Sequence, residues 1–269
     1  MQVAAVLGSP ISHSLSPTLH EAAYHALGFS DWEYTKIECE ADELPEVVGE
    51  ASPEIRGFSV TMPGKEAALA FADTASERAV LVGSANTLVR IDSGWYADCT
   101  DIDGADQAIK DSGWTDGPIV ILGAGGTARP YVAACKDNGA EKIVIASRSR
   151  ERADKTIKVA EALDLDVSWV GLHDTAKFNQ AINEAELVIS TLPADAAAAY
   201  VESLKNISRF IDVTYAPWPT TVARMVSENG GTVISGLTML VHQATTQIEL
   251  FTGRKVTPSV LEAMTLALP

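Results

Sequence analysis

The chain has 269 residues, which at roughly 150 residues per domain gives a soft prior of about two domains. Its 46% hydrophobic and 21% charged residues are the composition of a folded chain, which excludes intrinsic disorder. Thirty-six acidic residues against 20 Lys and Arg leave a net charge of −16, which argues against nucleic acid and anionic membrane as partners. Cys39, Cys99 and Cys135 lie far apart without CxxC spacing, and no His pair has HxxxH or HExxH spacing. Neither a disulfide framework nor a metal site is expected. The apolar run at the N-terminus has no positive region ahead of it, and no stretch reaches ~18 apolar residues. A cytoplasmic protein is expected.

In chain order, apolar runs at 3–7, 32–39 and 57–60 predict strands, and the amphipathic stretch 18–27 predicts a helix. The first run ends in Gly8-Ser9-Pro10-Ile11-Ser12-His13-Ser14-Leu15-Ser16-Pro17. Ser16 suits a helix N-cap with Pro17 next, and Gly28 suits the position past the helix end. Capping does not account for Ser14 or for so many hydroxyls at one strand end. Hydroxyls and amides at a helix N-terminus also suit a small carboxylate, so both readings stand. The stretch 31–54, with nine carboxylates and one Lys, reads as a solvated outer face. Residues 65–72 follow a Pro-Gly turn and read as a short helix. Two strands at 87–91 and 95–99 around Asp92-Ser93-Gly94 read as a β-hairpin, followed by a helix from Asp101 to Asp111. A loop follows at 113–118, and the domain boundary is placed around 101–117.

Beyond it, strand-like runs at 119–122, 142–146, 167–170, 187–191, 210–214 and 232–234 alternate with helical stretches such as 128–137, 151–163 and 220–227. That rhythm belongs to parallel sheets covered by helices, so the fold class is α/β. The chain ends in helical stretches at 236–253 and 258–268, too little for a core of their own. They are expected to return to the first domain. The expected division is 1–101 with 237–269 as one α/β domain, and 102–236 as a Rossmann-type dinucleotide-binding domain.

The second domain opens with Ile119-Val120-Ile121-Leu122-Gly123-Ala124-Gly125-Gly126-Thr127-Ala128, a strand running through glycines into a helix. Gly123, Gly125 and Ala128 fit G-x-G-x-x-A. The first glycine permits a tight turn, the second lets backbone approach a pyrophosphate, and Ala128 permits close helix packing. Ala124, Gly126 and Thr127 complete the expected phosphate turn. The end of the next strand selects the cofactor. An NAD site typically has an acid there for the ribose hydroxyl, whereas this chain reads Ser147-Arg148-Ser149-Arg150-Glu151-Arg152. Residues 147–155 carry four positive and two negative side chains, a local +2. A guanidinium can hold a 2′-phosphate in a bidentate fork, so the expected cofactor is NADP(H), with Ser147, Arg148, Ser149 and Arg152 around the phosphate.

Seven motifs in register then identify a relationship: GSPISHSLSP at 8–17, VTMPGK at 60–65, GSANT at 83–87, TDIDG at 100–104, GAGGTAR at 123–129, DVTYAPWPT at 212–220 and GLTMLVHQA at 236–244. The chain resembles the shikimate dehydrogenases from end to end. The resemblance implies NADPH-dependent reduction of 3-dehydroshikimate to shikimate, with the substrate bound between two domains. By matching motif it implies Ser14 and Ser16 on the substrate carboxylate, with Tyr215 closing that end. It implies Thr61, Asn86, Asp101 and Gln243 on the ring hydroxyls, and Lys65 with Asp101 as the catalytic pair. Thr191 would lie near the ribose, and Gly236 and Met239 near the nicotinamide. Lys65 would donate the proton to the forming hydroxyl, with Asp101 orienting it or sharing the proton.

Ser59 and Glu21 stand where many members have Asn, and Cys99 stands where Asn usually precedes Thr100-Asp101. The run 190–195 varies N-A-T-P-x-G, and Ser147-Arg148-Ser149 varies N-R-T. Ser59 matters most, because an amide that would face the ring is gone. The alternatives are a quinate or shikimate dehydrogenase using NAD, and a non-catalytic NADP-binding sensor. Arg148 argues against the first, and Lys65 with Asp101 against the second. The expected assembly is a monomer or a homodimer.

Overall fold

The computed structural model describes residues 1–269 and contains two six-stranded sheets, each within its own compact unit. One unit is Met1–Asp101 with Leu240–Pro269, and the other is Ile102–Met239.

The first unit runs β1 (Gln2–Gly8), α1 (Ser16–Ala26), β2 (Trp32–Glu38), α2 (Leu44–Gly49), β3 (Ile55–Val60), α3 (Lys65–Phe71), β4 (Thr74–Ala75), α4 (Glu77–Val82), β5 (Thr87–Ile91) and β6 (Gly94–Asp98). Helix α5 (Asp101–Asp111) starts at its boundary. The strand order is β2-β1-β3-β5-β6-β4. Strand β1 pairs parallel with β2 and β3, while β5 runs antiparallel to both β3 and β6. The sheet is therefore mixed, because the hairpin interrupts the parallel rhythm. Its tight loop is Asp92-Ser93, closed by Gly94, where φ is 130°.

Side chains alternate across β1 as the pleat requires. Ala4 and Val6 join one buried cluster, with Leu19 and Tyr24, whereas Ala5 and Leu7 join another, with Leu44, Val48, Phe58 and Trp95. The first cluster also takes Val241, Ala244, Ile248 and Phe251, and then Val260 and Met264. These come from α12 (Gly236–Thr252) and α13 (Pro258–Leu266), so the closing helices complete this core. Helix α12 begins in the second unit, and the chain passes into the first at 239/240.

The second unit runs β7 (Ile119–Leu122), α6 (Ala128–Asp137), β8 (Lys142–Ser147), α7 (Arg150–Ala162), β9 (Asp166–Gly171), α8 (Thr175–Glu184), β10 (Leu187–Ser190), α9 (Ala194–Ala198), α10 (Val201–Leu204), β11 (Arg209–Asp212), α11 (Thr221–Glu228) and β12 (Thr232–Ser235). Its order is β12-β11-β10-β7-β8-β9, and every pair is parallel. Val120, Leu122, Val144, Val188 and Phe210 pack with Phe178, Ile182, Leu204 and Val226. The intervening Ile119, Ile121, Ile143 and Ile145 are fully buried as well. Burial on both faces is why these strands read as unbroken apolar runs. The strand order reverses direction at β7, and a doubly wound sheet takes ligands beyond the carboxyl ends of its strands at such a switch point.

Candidate active site

In the first unit the sheet register gathers polar residues along one edge. Strands β1 and β3 are parallel, so the loop after Gly8 and the loop after Val60 leave the same side. Strand β5 is antiparallel to β3 with Thr87 opposite Ser59, and Asp98 lies opposite Thr87. Asn86 before β5 and Thr100-Asp101 after β6 therefore reach that side too.

Lys65 opens α3 and Asp101 opens α5, and Lys65 Nζ donates to Asp101 Oδ2. Their side chains are 20% and 6% exposed, so the ammonium reaches solvent while the carboxylate is nearly enclosed. Asn86 Nδ2 donates to Asp101 Oδ1 at 2.9 Å and to Gln243 Oε1 at 3.0 Å. Thr100 N–H donates to Asn86 Oδ1 at 2.7 Å, which settles which end of the amide faces the carboxylate. The backbone locks the cluster: Ala85 N–H donates to the Lys65 carbonyl at 2.9 Å and Val60 N–H to the Asn86 carbonyl at 2.7 Å. The corner ahead of Thr100 is held by Asp98, which accepts from Arg78 Nε at 2.8 Å and Ser76 Oγ at 2.6 Å. Burial opposes ionisation of Asp98, but Arg78 and Ser76 outweigh it and hold the carboxyl below its usual range. Cys99 is buried, and the loss of solvent pushes its thiol up to about 12, which makes it a packing residue.

The expected capping by Ser16 is corrected. Leu15 is the N-cap of α1 and makes no side-chain cap, so Ser16 is already helical and Pro17 follows it. A hydroxyl there stands beside the first turn and not beneath its open N–H groups. Ser14 Oγ accepts the Ser16 N–H at 3.3 Å, and Ser16 itself is 5% exposed. Gly28, with φ 78°, sits past the helix end as expected. Thr61 follows β3, and its methyl fills the space a side chain on Gly8 would occupy.

The structure thus joins Lys65, Asn86, Asp101 and Gln243 by direct bonds, and sets Ser14, Ser16 and Thr61 on the same unit. Tyr215 belongs to the other unit, past β11, where burial raises its phenol above the usual range.

In the second unit a cavity of about 330 Å³ opens at the carboxyl ends of β7, β8 and β10. Gly123, Ala124, Gly125, Ser147, Arg148, Arg152 and Thr191 line it, with Leu192 and Pro193. Its walls carry two arginines and no carboxylate. Gly123 has φ 98°, a backbone that glycine adopts without strain, and a side chain there would collide with Thr191 Oγ1. No atom lies within 4 Å of where a Cβ on Gly125 would point, so its backbone stands open to a ligand. Ala128 is fully buried, the close packing that the third position of the motif requires. Gly126 and Thr127 complete the turn, with Thr127 as the N-cap residue of α6. Ser149 caps α7 by accepting the Arg152 N–H at 3.2 Å. Ser147 Oγ donates to the Ser149 carbonyl and accepts from Trp169 Nε1, each at 2.9 Å. The serines thus shape this rim, leaving the arginines as its charged donors. The donor set fits a dinucleotide bearing a 2′-phosphate.

Gly236 is constrained by packing: a Cβ would overlap the Val213 carbonyl oxygen. Met239 is 8% exposed, and its backbone abuts Gly104.

Sequence reasoning missed the second layer of the first site: His20, Tyr34, Thr87, Thr100 and Gln247, all nearly or fully buried. One signal was present. Gln243 and Gln247 lie four apart on a predominantly apolar helix, so two amides share its inner face.

Comparison with known proteins agrees with this geometry. Residues 6–88 match the shikimate dehydrogenase substrate binding domain, and residues 236–262 the shikimate 5'-dehydrogenase C-terminal domain. Residues 119–237 match the saccharopine dehydrogenase NADP binding domain. A shikimate dehydrogenase (NADP(+)) of Synechococcus sp. (strain JA-3-3Ab) is 34% identical over 275 residues, covering 96% of this chain and 90% of its own. The crystal structure of Mycobacterium tuberculosis shikimate dehydrogenase matches with a TM-score of 0.91 and 47% identity, covering 99% of this chain and 98% of that one. The Thermus thermophilus shikimate 5-dehydrogenase, solved with NADP(H) and shikimate, matches with a TM-score of 0.83 and 30% identity over the whole of both chains. With the site motifs in place and identity sustained along the full length, the chain belongs to the shikimate dehydrogenase family.

Proposed function

We propose that this chain reduces 3-dehydroshikimate to shikimate with NADPH, a step of aromatic amino-acid biosynthesis. On this reading the unit built from 1–101 and 237–269 binds substrate, and 102–236 binds the cofactor. NADPH, when bound, supplies the hydride. Lys65 donates a proton from Nζ to the oxygen of the reacting carbonyl, and Asp101 orients the ammonium through Oδ2. Asn86, Thr61 and Gln243 fix the ring hydroxyls. Ser14 and Ser16 hold the carboxylate. Gly123 to Ala128 carry the pyrophosphate on backbone N–H groups. Arg148 and Arg152 take the 2′-phosphate, Ser147 and Ser149 build that rim, Thr191 borders the ribose, and Gly236 and Met239 border the nicotinamide.

The observation that carries this reading is the bonded set Lys65–Asp101–Asn86–Gln243. It places one half-buried proton donor beside an enclosed carboxylate. The three cysteines are free and buried, in keeping with a reducing cytoplasm. No helix is long and apolar enough to cross a membrane.

The test is an initial rate for purified protein in four mixtures: 3-dehydroshikimate with NADPH or NADH, and quinate with NADP or NAD. Fast oxidation of NADPH with 3-dehydroshikimate is the expected result. A preference for quinate with NAD would replace this reading with the catabolic one. Silence in all four, from folded protein that binds NADPH, would leave a sensor.

A further inference from the structure

A directional chain of hydrogen bonds runs through the buried side of the catalytic cluster. Tyr34 O–H donates to Ser59 Oγ at 2.6 Å, and Ser59 donates to Gln247 Oε1 at 2.7 Å. His20 Nε2 approaches the same oxygen at 3.4 Å while Tyr24 O–H faces Nδ1 at 3.3 Å, a pattern satisfied by the neutral Nε2–H tautomer. With its oxygen taken on this side, the Gln247 amide must present Nε2 to the other. Nε2 donates to the Asn86 carbonyl at 3.1 Å and to Thr87 Oγ1 at 3.0 Å. Thr87, whose oxygen accepts from Gln247, turns its proton to Asn86 Oδ1 at 2.9 Å. Asn86 in turn faces Asp101 with Nδ2.

We infer that Gln247 is a positioning residue: it fixes Asn86 by both backbone and side chain, and through Asn86 the carboxylate of Asp101. The inference rests on the proposed reading of the Lys65–Asp101 pair. Gln247 is fully buried, and replacing its amide removes the acceptor of the Ser59 proton and the donor to Thr87 Oγ1 in a dry environment. Thr87, no longer held by Gln247, then has Thr100 Oγ1, 3.3 Å away, as a partner that competes with Asn86 for its proton. The Thr100 N–H still holds Asn86 Oδ1, so the amide is loosened and not inverted. Ser59 takes a defined part: its hydroxyl both receives from Tyr34 and orients Gln247. Where an asparagine is usual in the family, this chain has built the serine into the support behind the site.

The test compares Gln247→Met, Thr87→Val, Thr87→Ser and the double variant Gln247→Met/Thr87→Val with wild type. Melting, the NADPH Kd, and kcat and KM for 3-dehydroshikimate are measured for each. Gln247→Met and Thr87→Val should each lower kcat by a factor on the order of 10–10², the scale of a misplaced reacting group. The NADPH Kd should stay at the wild-type value. Thr87→Ser, which keeps the hydroxyl, should restore kcat. The double variant should be no slower than the slower single, because both break one chain. Wild-type kcat in folded Gln247→Met, or losses that multiply in the double, would overturn the inference. If Gln247→Met does not fold, the Val and Ser variants at Thr87 decide alone, and equal kcat in those two overturns it. Wild type that does not reduce 3-dehydroshikimate overturns the underlying reading, a failure visible before any variant is made.

Discussion

At the scale of single residues, chemistry concentrates on a few side chains whose surroundings decide their roles. Lys65 is the one ammonium in the bonded cluster and keeps solvent access. Lys65→Ala should lower turnover by a factor on the order of 10²–10⁴ with a smaller change in KM, measured by steady-state kinetics. A turnover near wild type would remove Lys65 from the chemistry. Arg148 lines a cavity without carboxylates, so Arg148→Ala should weaken NADPH far more than NADH in titrations of each. Equal losses would reject the 2′-phosphate assignment. His20 acts on stability. Burial lowers its pKa from 6.5 to about 3, opposed only in part by its bond to Gln247. The folded state therefore holds the neutral ring, while the unfolded chain takes up a proton below about 6.5. This contribution is complete above that pH and is lost as pH falls towards 3. Between pH 6 and 5 it should cost about 1 kcal/mol in urea denaturation. His20→Gln should flatten that slope, and an unchanged slope would count against a buried neutral His20.

At the scale of elements, helix starts place the site. α3 and α5 begin at the two members of the ion pair, α6 begins beyond the glycine turn, and α7 begins beside Arg148. Loop 213–219 is pinned at both ends by Asp212, which accepts from Thr214 N–H at 3.0 Å and Thr220 Oγ1 at 2.8 Å. Thr220 in turn caps α11 through the Ala223 N–H at 3.2 Å. α12 has its own constraint. Gly236→Ala drives a methyl into the Val213 backbone, which cannot rotate aside as a side chain would. A stability loss of about 1–3 kcal/mol is expected from such overpacking, read from the urea midpoint. Full stability with weakened NADPH binding would instead tie this glycine to the nicotinamide alone.

At the scale of the whole molecule, two units carry separate sheets and cores. A net charge of −16 repels a polyanionic cofactor at long range, and the local +2 around Arg148 counters it at contact distance. The proposed division predicts separable signatures in hydrogen exchange. NADP alone should slow exchange first in β7, β8 and α6, and shikimate alone in α1, α3 and the Asn86 segment. Reversed patterns would overturn the assignment of ligand to unit.

The sequence by itself determined whatever is written locally. The turn at Gly123 to Ala128 is legible because strand, glycines and helix are consecutive, and the required positive φ falls on a glycine. The sign of the charge at Arg148 is a property of one position. Strand and helix periodicity disclosed the α/β class, though the two-residue strand β4 and the short α2 and α4 carry too few periods to register. Only the tertiary structure decided how Ser16 is used, because one residue's shift in the helix start separates a cap from a buried position in the first turn. It alone brought Gln247 to Ser59, 188 residues away, and Asn86 to Gln243, 157 residues away. A buried hydrogen bond depends on sheet register and helix rotation together. Neither is encoded within any single stretch of chain.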